Sequence, residues 1–294
     1  MSILGRPNAG KSTLLNALVG GKIAIVSDKP QTTRAGLQAV LTLPDAQVVF
    51  VDTPGVHESA LLLHRKMMDA VREALRGRDL ILWVAGVDEA DETDLAAAAI
   101  VKDQRAQVYL VLNKIDTRRN KAALLPIIER YHESGAFAEV FPVSALTGEG
   151  VAGLTAAIAA ALPVGPRYFP EDHLTDQPEK FLASEFVREA VLELTRQEVP
   201  HAVAVLVDQW EESRKLTRIA ATVYVERDGQ KRIVVGAGGS MLREIGMRAR
   251  IRIEELLGRK VYLELFVKVR RNWRESPEFL NELDWRYMTG GNPE

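Results

Sequence analysis

The 294-residue chain contains no cysteine, which excludes disulfides, thiolate metal sites and cysteine nucleophiles. It has no apolar run near the ~20 residues that a membrane span requires, and no signal-peptide pattern ahead of Gly5. A cytoplasmic protein is expected. Aromatic residues make up only 6% of the chain, and the formal net charge is −2, so the chain as a whole is neither a polybasic nor a polyacidic protein. That small charge hides a segregation: from Arg214 through Arg274, sixteen Lys/Arg face six Asp/Glu, a local +10, which leaves −12 for the remainder. A polyanionic partner is therefore expected at the C-terminal part and not at the N-terminal part. Apolar residues, at 47%, suffice for packed cores, and the length suggests two domains.

Against this background stand three short motifs in a fixed order. Gly5, Arg6, Pro7, Asn8, Ala9, Gly10, Lys11 and Ser12 fit G-x-x-x-x-G-K-[ST], after apolar Ile3-Leu4 and ahead of a helical stretch Ser12–Val19. Glycines in such a loop let backbone N–H groups close around a β-phosphate at a helix N-terminus. Lys11 is expected to neutralise β/γ-phosphate charge and Ser12 to ligate Mg²⁺, with Thr13 counted in the same cradle. The second motif, Asp52-Thr53-Pro54-Gly55, ends the buried-strand pattern Val48–Val51, where ligands gather in open α/β sheets. Asp52 is expected to hold Mg²⁺ through water, and the Gly55 amide to sense the γ-phosphate. In Gln31-Thr32-Thr33-Arg34, a switch threonine should complete the Mg²⁺ shell; Thr33 is preferred, with Thr32 the alternative.

The third motif, Asn113-Lys114-Ile115-Asp116, names the base. Asp116 can accept hydrogen bonds from guanine N1–H and the exocyclic amine, neither of which adenine offers there, so GTP and GDP are the expected ligands. Lys114 would lay its stem along the base, Asn113 would tie this loop to the phosphate loop, and Ser144-Ala145-Leu146 would offer backbone N–H to guanine O6. Lys11, Thr33 and Gly55 are the residues assigned to catalysis of GTP hydrolysis. The position after Gly55 is Val56, which cannot orient water as a glutamine would, so slow intrinsic hydrolysis is expected. His57, next along, reads as a surface histidine. Asn8 is a candidate ligand for a monovalent cation near the β/γ bridge, which makes K⁺ stimulation an expectation.

Alternating strand and helix patterns up to residue 163 indicate an α/β domain with a doubly wound, mostly parallel sheet. The proline-rich stretch 164–178, from Val164-Gly165-Pro166 onward, then breaks both periodicities and reads as a stiff linker. Residues 179–294 form the second domain, an α+β unit in the order helix, strand, strand, glycine loop, helix, strand. Its loop Gly236-Ala237-Gly238-Gly239 follows the Gly-x-x-Gly pattern with which KH domains clamp single-stranded RNA. The RNA-contact candidates are this loop with Lys231, Arg232, Arg243 and Arg248. Trp273 is read two ways, stacking on a base or capping the core.

Gly-Arg-Pro-Asn-x-Gly-Lys-Ser, Gln-Thr-Thr-Arg, Asp-Thr-Pro-Gly and Asn-Lys-x-Asp, then a proline-rich linker and a KH pattern closing on Leu263–Arg270 with Trp273, together resemble the Era family of GTPases along essentially the whole chain. The resemblance implies a P-loop G domain followed by a type II KH domain. It also implies a GTPase that binds 16S ribosomal RNA near its 3′ end, assists 30S subunit maturation and makes peripheral contact with the inner face of the cell membrane; a monomer is expected. There are two departures from the family pattern. Only Met1–Leu4 precede the phosphate loop, so either the first strand is trimmed or the start is misassigned, and Ala9 stands where valine is common; neither removes a ligand.

Overall fold

The structure is a computed structural model that describes residues 1–29, 32–56, 61–102, 104–196 and 198–288. Among the described residues its first compact unit comprises Met1–Val26, 33–56 and His64–Asp176, and its second 27–29, Thr32, Leu61–Leu63 and the residues from Gln177 onward.

In the first unit, the central strands are buried along almost their whole length, whereas the outer ones are only partly covered. The strands are β1 (Ser2–Leu4), β2 (Leu37–Thr42), β3 (Gln47–Asp52), β4 (Leu80–Gly86), β5 (Gln107–Asn113) and β6 (Glu139–Pro142). They form one sheet in the order β2-β3-β1-β4-β5-β6, parallel except for β2, which runs antiparallel to β3. Every residue of β4 is buried, as a strand covered by helices on both sides requires. One face carries Ile3, Leu82 and Val84 against Leu14, Leu15 and Leu18 of α1 (Lys11–Val19) and Leu154 and Ile158 of α5 (Val151–Ala161). The other carries Leu4, Ile81 and Trp83 with Val71 of α2 (Leu62–Leu75), Val101 of α3 (Glu92–Lys102) and Tyr131 of α4 (Leu125–Glu133). β1 is short, yet all three of its residues pair with β4 and two of them also with β3, which places it between those strands.

The proline-rich stretch is not slack. The Val40 amide donates to the Leu174 carbonyl at 2.8 Å, the Thr175 hydroxyl donates to the Gln38 carbonyl at 2.6 Å, and Gln47 Oε1 accepts from the Tyr168 and Phe169 amides at 2.8 and 2.9 Å. Residues 167–176 are thus a strap along the open edge of β2, satisfying backbone groups an edge strand leaves unpaired.

The second unit is built on α6 (Glu179–Leu194), whose residues 181–184 and 186–192 are all buried. A short α7 (Val199–Ala202) leads into β7 (Ala204–Glu212), antiparallel to β8 (Leu216–Val225), which is in turn parallel to β9 (Lys260–Val269). Before the glycine loop the structure has a helix, α8 (Asp228–Val235), that the β-branched run Ile233-Val234-Val235 does not suggest. Gln230 Oε1 accepts from the Glu226 and Arg227 amides at 3.0 Å each, which caps the helix start, and buried Val234 anchors it. Apart from the single-turn α7, the order is therefore helix, strand, strand, helix, helix, strand. After the loop, α9 (Ser240–Leu257) buries Ile245, Ala249 and Ile253 at i, i+4 and i+8, a stripe worth about 1.5–3 kcal/mol per isoleucine. α10 (Pro277–Glu282) and α11 (Trp285–Met288) follow.

Candidate functional site

The loops at the C-terminal ends of β1, β3, β5 and β6 meet around the N-terminus of α1. Gly10 (φ 95°) starts that helix, and a Cβ there would lie 2.2 Å from Asn113 Nδ2. Gly5 (φ 145°) is as tightly placed, 2.2 Å from the Val84 carbonyl oxygen. The loop that remains leaves the first amides of α1 open for an anion. Lys11 lies buried beneath it, donating to the Gly5 and Arg6 carbonyls at 3.1 and 2.9 Å. Burial pushes its ammonium down to about 8, with the Asp52 carboxylate opposing. The Arg6 side chain turns away to Asp91, 3.3 Å distant, so this residue contributes backbone only.

Ser12, Thr33 and Asp52 converge. Ser12 Oγ donates to Asp52 Oδ2 at 2.7 Å and lies 2.8 Å from Thr33 Oγ1, which is 3.3 Å from the same carboxylate oxygen. Thr32 turns its hydroxyl to the Lys29 carbonyl at 2.6 Å, so of the two candidates only Thr33 faces the site. Burial raises the Asp52 carboxyl above its ordinary range against the pull of Lys11 and the two hydroxyls. Its Oδ1 is buried with no hydrogen-bond partner. An orphaned carboxylate oxygen beside two hydroxyls fits a hard cation such as Mg²⁺.

Thr53 and Pro54 are buried, and Thr53 Oγ1 donates to the Ile3 carbonyl at 2.9 Å, a structural contact. At Gly55 a Cβ would lie 2.7 Å from Pro7 N, so only glycine brings this backbone against the phosphate loop. Val56 donates its amide to the Gly5 carbonyl at 3.1 Å and packs its side chain into an apolar cluster. Asn8 is exposed with φ 64°. Gln31 and His57 lie outside the described residues.

Asn113 ties the base loop together as expected: Nδ2 donates to the Ala9 carbonyl at 2.9 Å and Oδ1 accepts from the Ala145 amide at 3.0 Å. Ser144 Oγ donates to Asp116 Oδ1 at 2.6 Å, fixing that carboxylate while the residue stays exposed. Leu146 is 79% exposed. Lys114 (φ 66°) lies over Gly86, with Nζ 3.5 Å from Glu89. Sequence reasoning missed Gly86, the last residue of β4, and Glu89 just after it, at a strand end with no motif of its own.

In the second unit, Gly236 (φ 72°) and Gly239 (φ 80°) frame the loop, and a Cβ at Gly236 would lie 2.7 Å from Met241 Cβ. Beside Gly239 a groove of about 400 Å³ runs between α9 and β9, lined by Leu242, Arg243, Gly246, Met247, Arg250 and Tyr262. Ala237 and Gly238 on the loop and Lys231 and Arg232 on α8 are exposed but do not line the groove. Arg248 is not free: it pairs with Glu244 at 2.8 Å and Glu193 at 3.6 Å. The i, i+4 spacing of Glu244 and Arg248 is the signal that announces this pairing. Arg250 and Met247, which do face the groove, share a helix face with Arg243 at spacings of three and four. For Trp273 the core reading is correct and base stacking is not. The residue is fully buried, donates its indole N–H to the Ala202 carbonyl at 2.9 Å and packs edge-on against Phe279.

Residues 1–114 match the family described as 50S ribosome-binding GTPase, and residues 198–274 match the KH domain. GTPase Era of Geobacter metallireducens is 47% identical over 293 residues, covering 97% of this chain and 96% of its own. GTPase Era of Lacticaseibacillus paracasei is 49% identical over 291 residues, with 97% and 95% covered. A crystal structure of Era in complex with MgGDPNP and nucleotides 1506–1542 of 16S ribosomal RNA matches with a TM-score of 0.93 at 38% identity, covering 97% of each chain. Era from Aquifex aeolicus, as a single-residue variant bound to GDP.AlF4−, matches with a TM-score of 0.92 at 38% identity and the same coverage. With near-half identity along almost its full length, and with both the phosphate loop and the glycine-loop groove in place, the chain belongs to the GTPase Era family.

Proposed function

We propose that this protein is a GTP-hydrolysing switch that binds the 3′ region of 16S ribosomal RNA through the groove beside Gly239 and assists assembly of the 30S subunit. The convergence of Ser12, Thr33 and Asp52 within 3.3 Å, beside a carboxylate oxygen with no partner, is the observation that supports the nucleotide half most strongly. The RNA half is supported by the cationic, partly apolar groove and by the RNA bound to the related Era structure.

In hydrolysis, water attacks the γ-phosphorus of GTP and GDP leaves, so negative charge grows on the oxygens between the β- and γ-phosphates. Lys11 and the first amides of α1 stabilise that charge, Gly55 donates its amide to the γ-phosphate, and Asp116 with Asn113 orients the base. Ser12, Thr33 and Asp52 would hold Mg²⁺, which supplies further neutralisation of the phosphate oxygens when bound. Val56 offers no polar atom to the attacking water, so intrinsic turnover is slow. Asn8, exposed at the mouth of the loop, is the ligand we assign to a stimulating K⁺; equal turnover in K⁺ and Na⁺ would remove that assignment. The chain acts as a monomer, and its basic segment 214–274 also suits peripheral contact with anionic headgroups at the inner face of the cell membrane.

A switch requires the two ligands to influence each other. Titrating a 16S 3′-end oligonucleotide into protein loaded with a non-hydrolysable GTP analogue or with GDP should give affinities that differ severalfold, with reciprocal change in nucleotide affinity. Identical affinities in both states would leave a GTPase and an RNA binder without a switch.

A further inference from the structure

A second cleft in the C-terminal unit, of about 900 Å³, lies apart from the glycine loop and is lined along β7, the start of α6 and α10. Leu206, Val207 and Asp208 all line it, although successive strand residues point to opposite faces. The cleft therefore follows the edge of β7. In the sheet order β7-β8-β9 that edge has no strand partner among the described residues, so its backbone groups are open to an added strand. The register slips between Val207 and Gln209, a bulge at which Asp208 is exposed, its Oδ2 steadied by the Thr222 hydroxyl at 2.6 Å.

Charge separates this cleft from the RNA groove. Residues 177–213 carry eight Asp/Glu against three Lys/Arg, and 275–288 four against one, in the unit whose middle segment carries +10. Asp208, Glu278 and Glu282 are exposed at the cleft, the last two one turn apart on α10. Glu179 and Glu212 also line it but share Arg259, at 3.2 and 3.1 Å. The walls between the carboxylates are aromatic: Trp210, oriented by its indole N–H donating to Glu212 at 2.7 Å, and Tyr287. Phosphate is repelled here. Among the described residues no group of three or more acidic or histidine side chains could hold a metal ion, which sets a bound cation of that kind aside.

We propose that this cleft binds an extended, lysine- or arginine-rich segment of a partner protein, which adds as a strand to β7. Alternate cationic side chains reach Asp208, Glu278 and Glu282, and their stems lie on Trp210 and Tyr287, the combination that aromatic faces and carboxylates recognise. Such a partner binds without contesting the RNA groove.

The test uses the full chain and two fluorescein-labelled ten-residue peptides, one alternating Lys with Val and one alternating Glu with Val, read by anisotropy. The basic peptide should bind at least about tenfold more tightly than the acidic one. Glu278→Lys with Glu282→Lys should weaken it by about tenfold, and Trp210→Ala by about threefold to fivefold. GTP turnover and RNA-oligonucleotide affinity, retained in each variant, verify that the protein is folded. Should the double substitution fail to fold, the pair Glu278→Gln and Glu282→Gln gives the same reading without charge reversal. Equal binding of the two peptides, or basic-peptide affinity unchanged by both paired variants, overturns the proposal. It is also overturned if sedimentation shows a dimer of this chain that the double variant abolishes while peptide affinity stays constant, because the cleft then serves a second copy.

Discussion

Around the phosphate loop, the groups that would meet GTP are fixed before it arrives. Asn113 is 2% exposed and bonded on both ends of its amide, Asp116 is held by Ser144, and Lys11 is buried against two carbonyls. In the RNA groove, by contrast, Arg243, Met247, Arg250 and Tyr262 are exposed side chains on one helix and one edge strand, with only the glycine loop itself constrained. The first arrangement would discriminate, because Asp116 is held in place and a base without matching donors would leave its carboxylate unpaired once covered. The second would tolerate a range of strands and would rely on charge and stacking surface, which long exposed side chains supply.

The largest effect should come from the base loop. Asp116→Asn is expected to weaken GTP by about a thousandfold, since the amide presents a donor where guanine also donates. Xanthosine triphosphate, with an acceptor at that ring position, should regain affinity; recovery can be read by competition with labelled nucleotide. Next come the two strained glycines. Gly10→Ala should cost about a hundredfold in GTP affinity through strain and the clash with Asn113, while Gly236→Ala should cost RNA about tenfold and leave GTP untouched. A loss of both ligands from either change would break the contrast.

Lys11 makes the nucleotide site pH-sensitive. Its unliganded pKa of about 8 rises when phosphates surround it, so the stabilisation is complete below pH 8 and is lost as pH climbs towards the bound-state value. GDP affinity should be flat from pH 7 to about 8 and then fall about tenfold per unit, and calorimetry at pH 8 should record uptake of roughly half a proton. RNA affinity should show no such break. Within the groove, Arg243→Ala and Arg250→Ala should each weaken RNA about threefold to tenfold and lower the salt slope by about one. Arg248→Ala, already paired to two glutamates, should change it less than about twofold. The smallest RNA effect belongs to Trp273→Phe, expected to keep RNA affinity within about twofold while lowering stability by about 1–2 kcal/mol, measured by denaturant unfolding.

The same contrast explains what could be read without coordinates. The geometry of the nucleotide loops follows from local chemistry, with glycines at positive φ, a lysine and a hydroxyl at a helix start, and a carboxylate at a strand end, so the sequence motifs point to these loops without tertiary information. Between Thr33 and Thr32 the motif alone does not decide; the hydroxyl contacts of Thr33 with Ser12 and Asp52 do. In the second unit, α9 and β9 were legible from periodicity, whereas α8 was not, because Gln230 and the burial of Val234 outweigh the β-branched run at its end. Trp273 was ambiguous since burial is a tertiary property that a flanking pair of arginines cannot announce. The strap on β2 was hidden for the same reason: proline content describes stiffness, and the hydrogen bonds that dock residues 167–176 belong to the strand edge they meet.

The most direct measurement is crosslinking in cells followed by sequencing of the attached RNA, with the crosslinked residue mapped on the protein. The account predicts a single enriched site near the 3′ end of small-subunit ribosomal RNA, attached between Gly236 and Arg250 or at Tyr262. Diffuse RNA, or attachment confined to residues away from the glycine loop while GTP binding is intact, would contradict it.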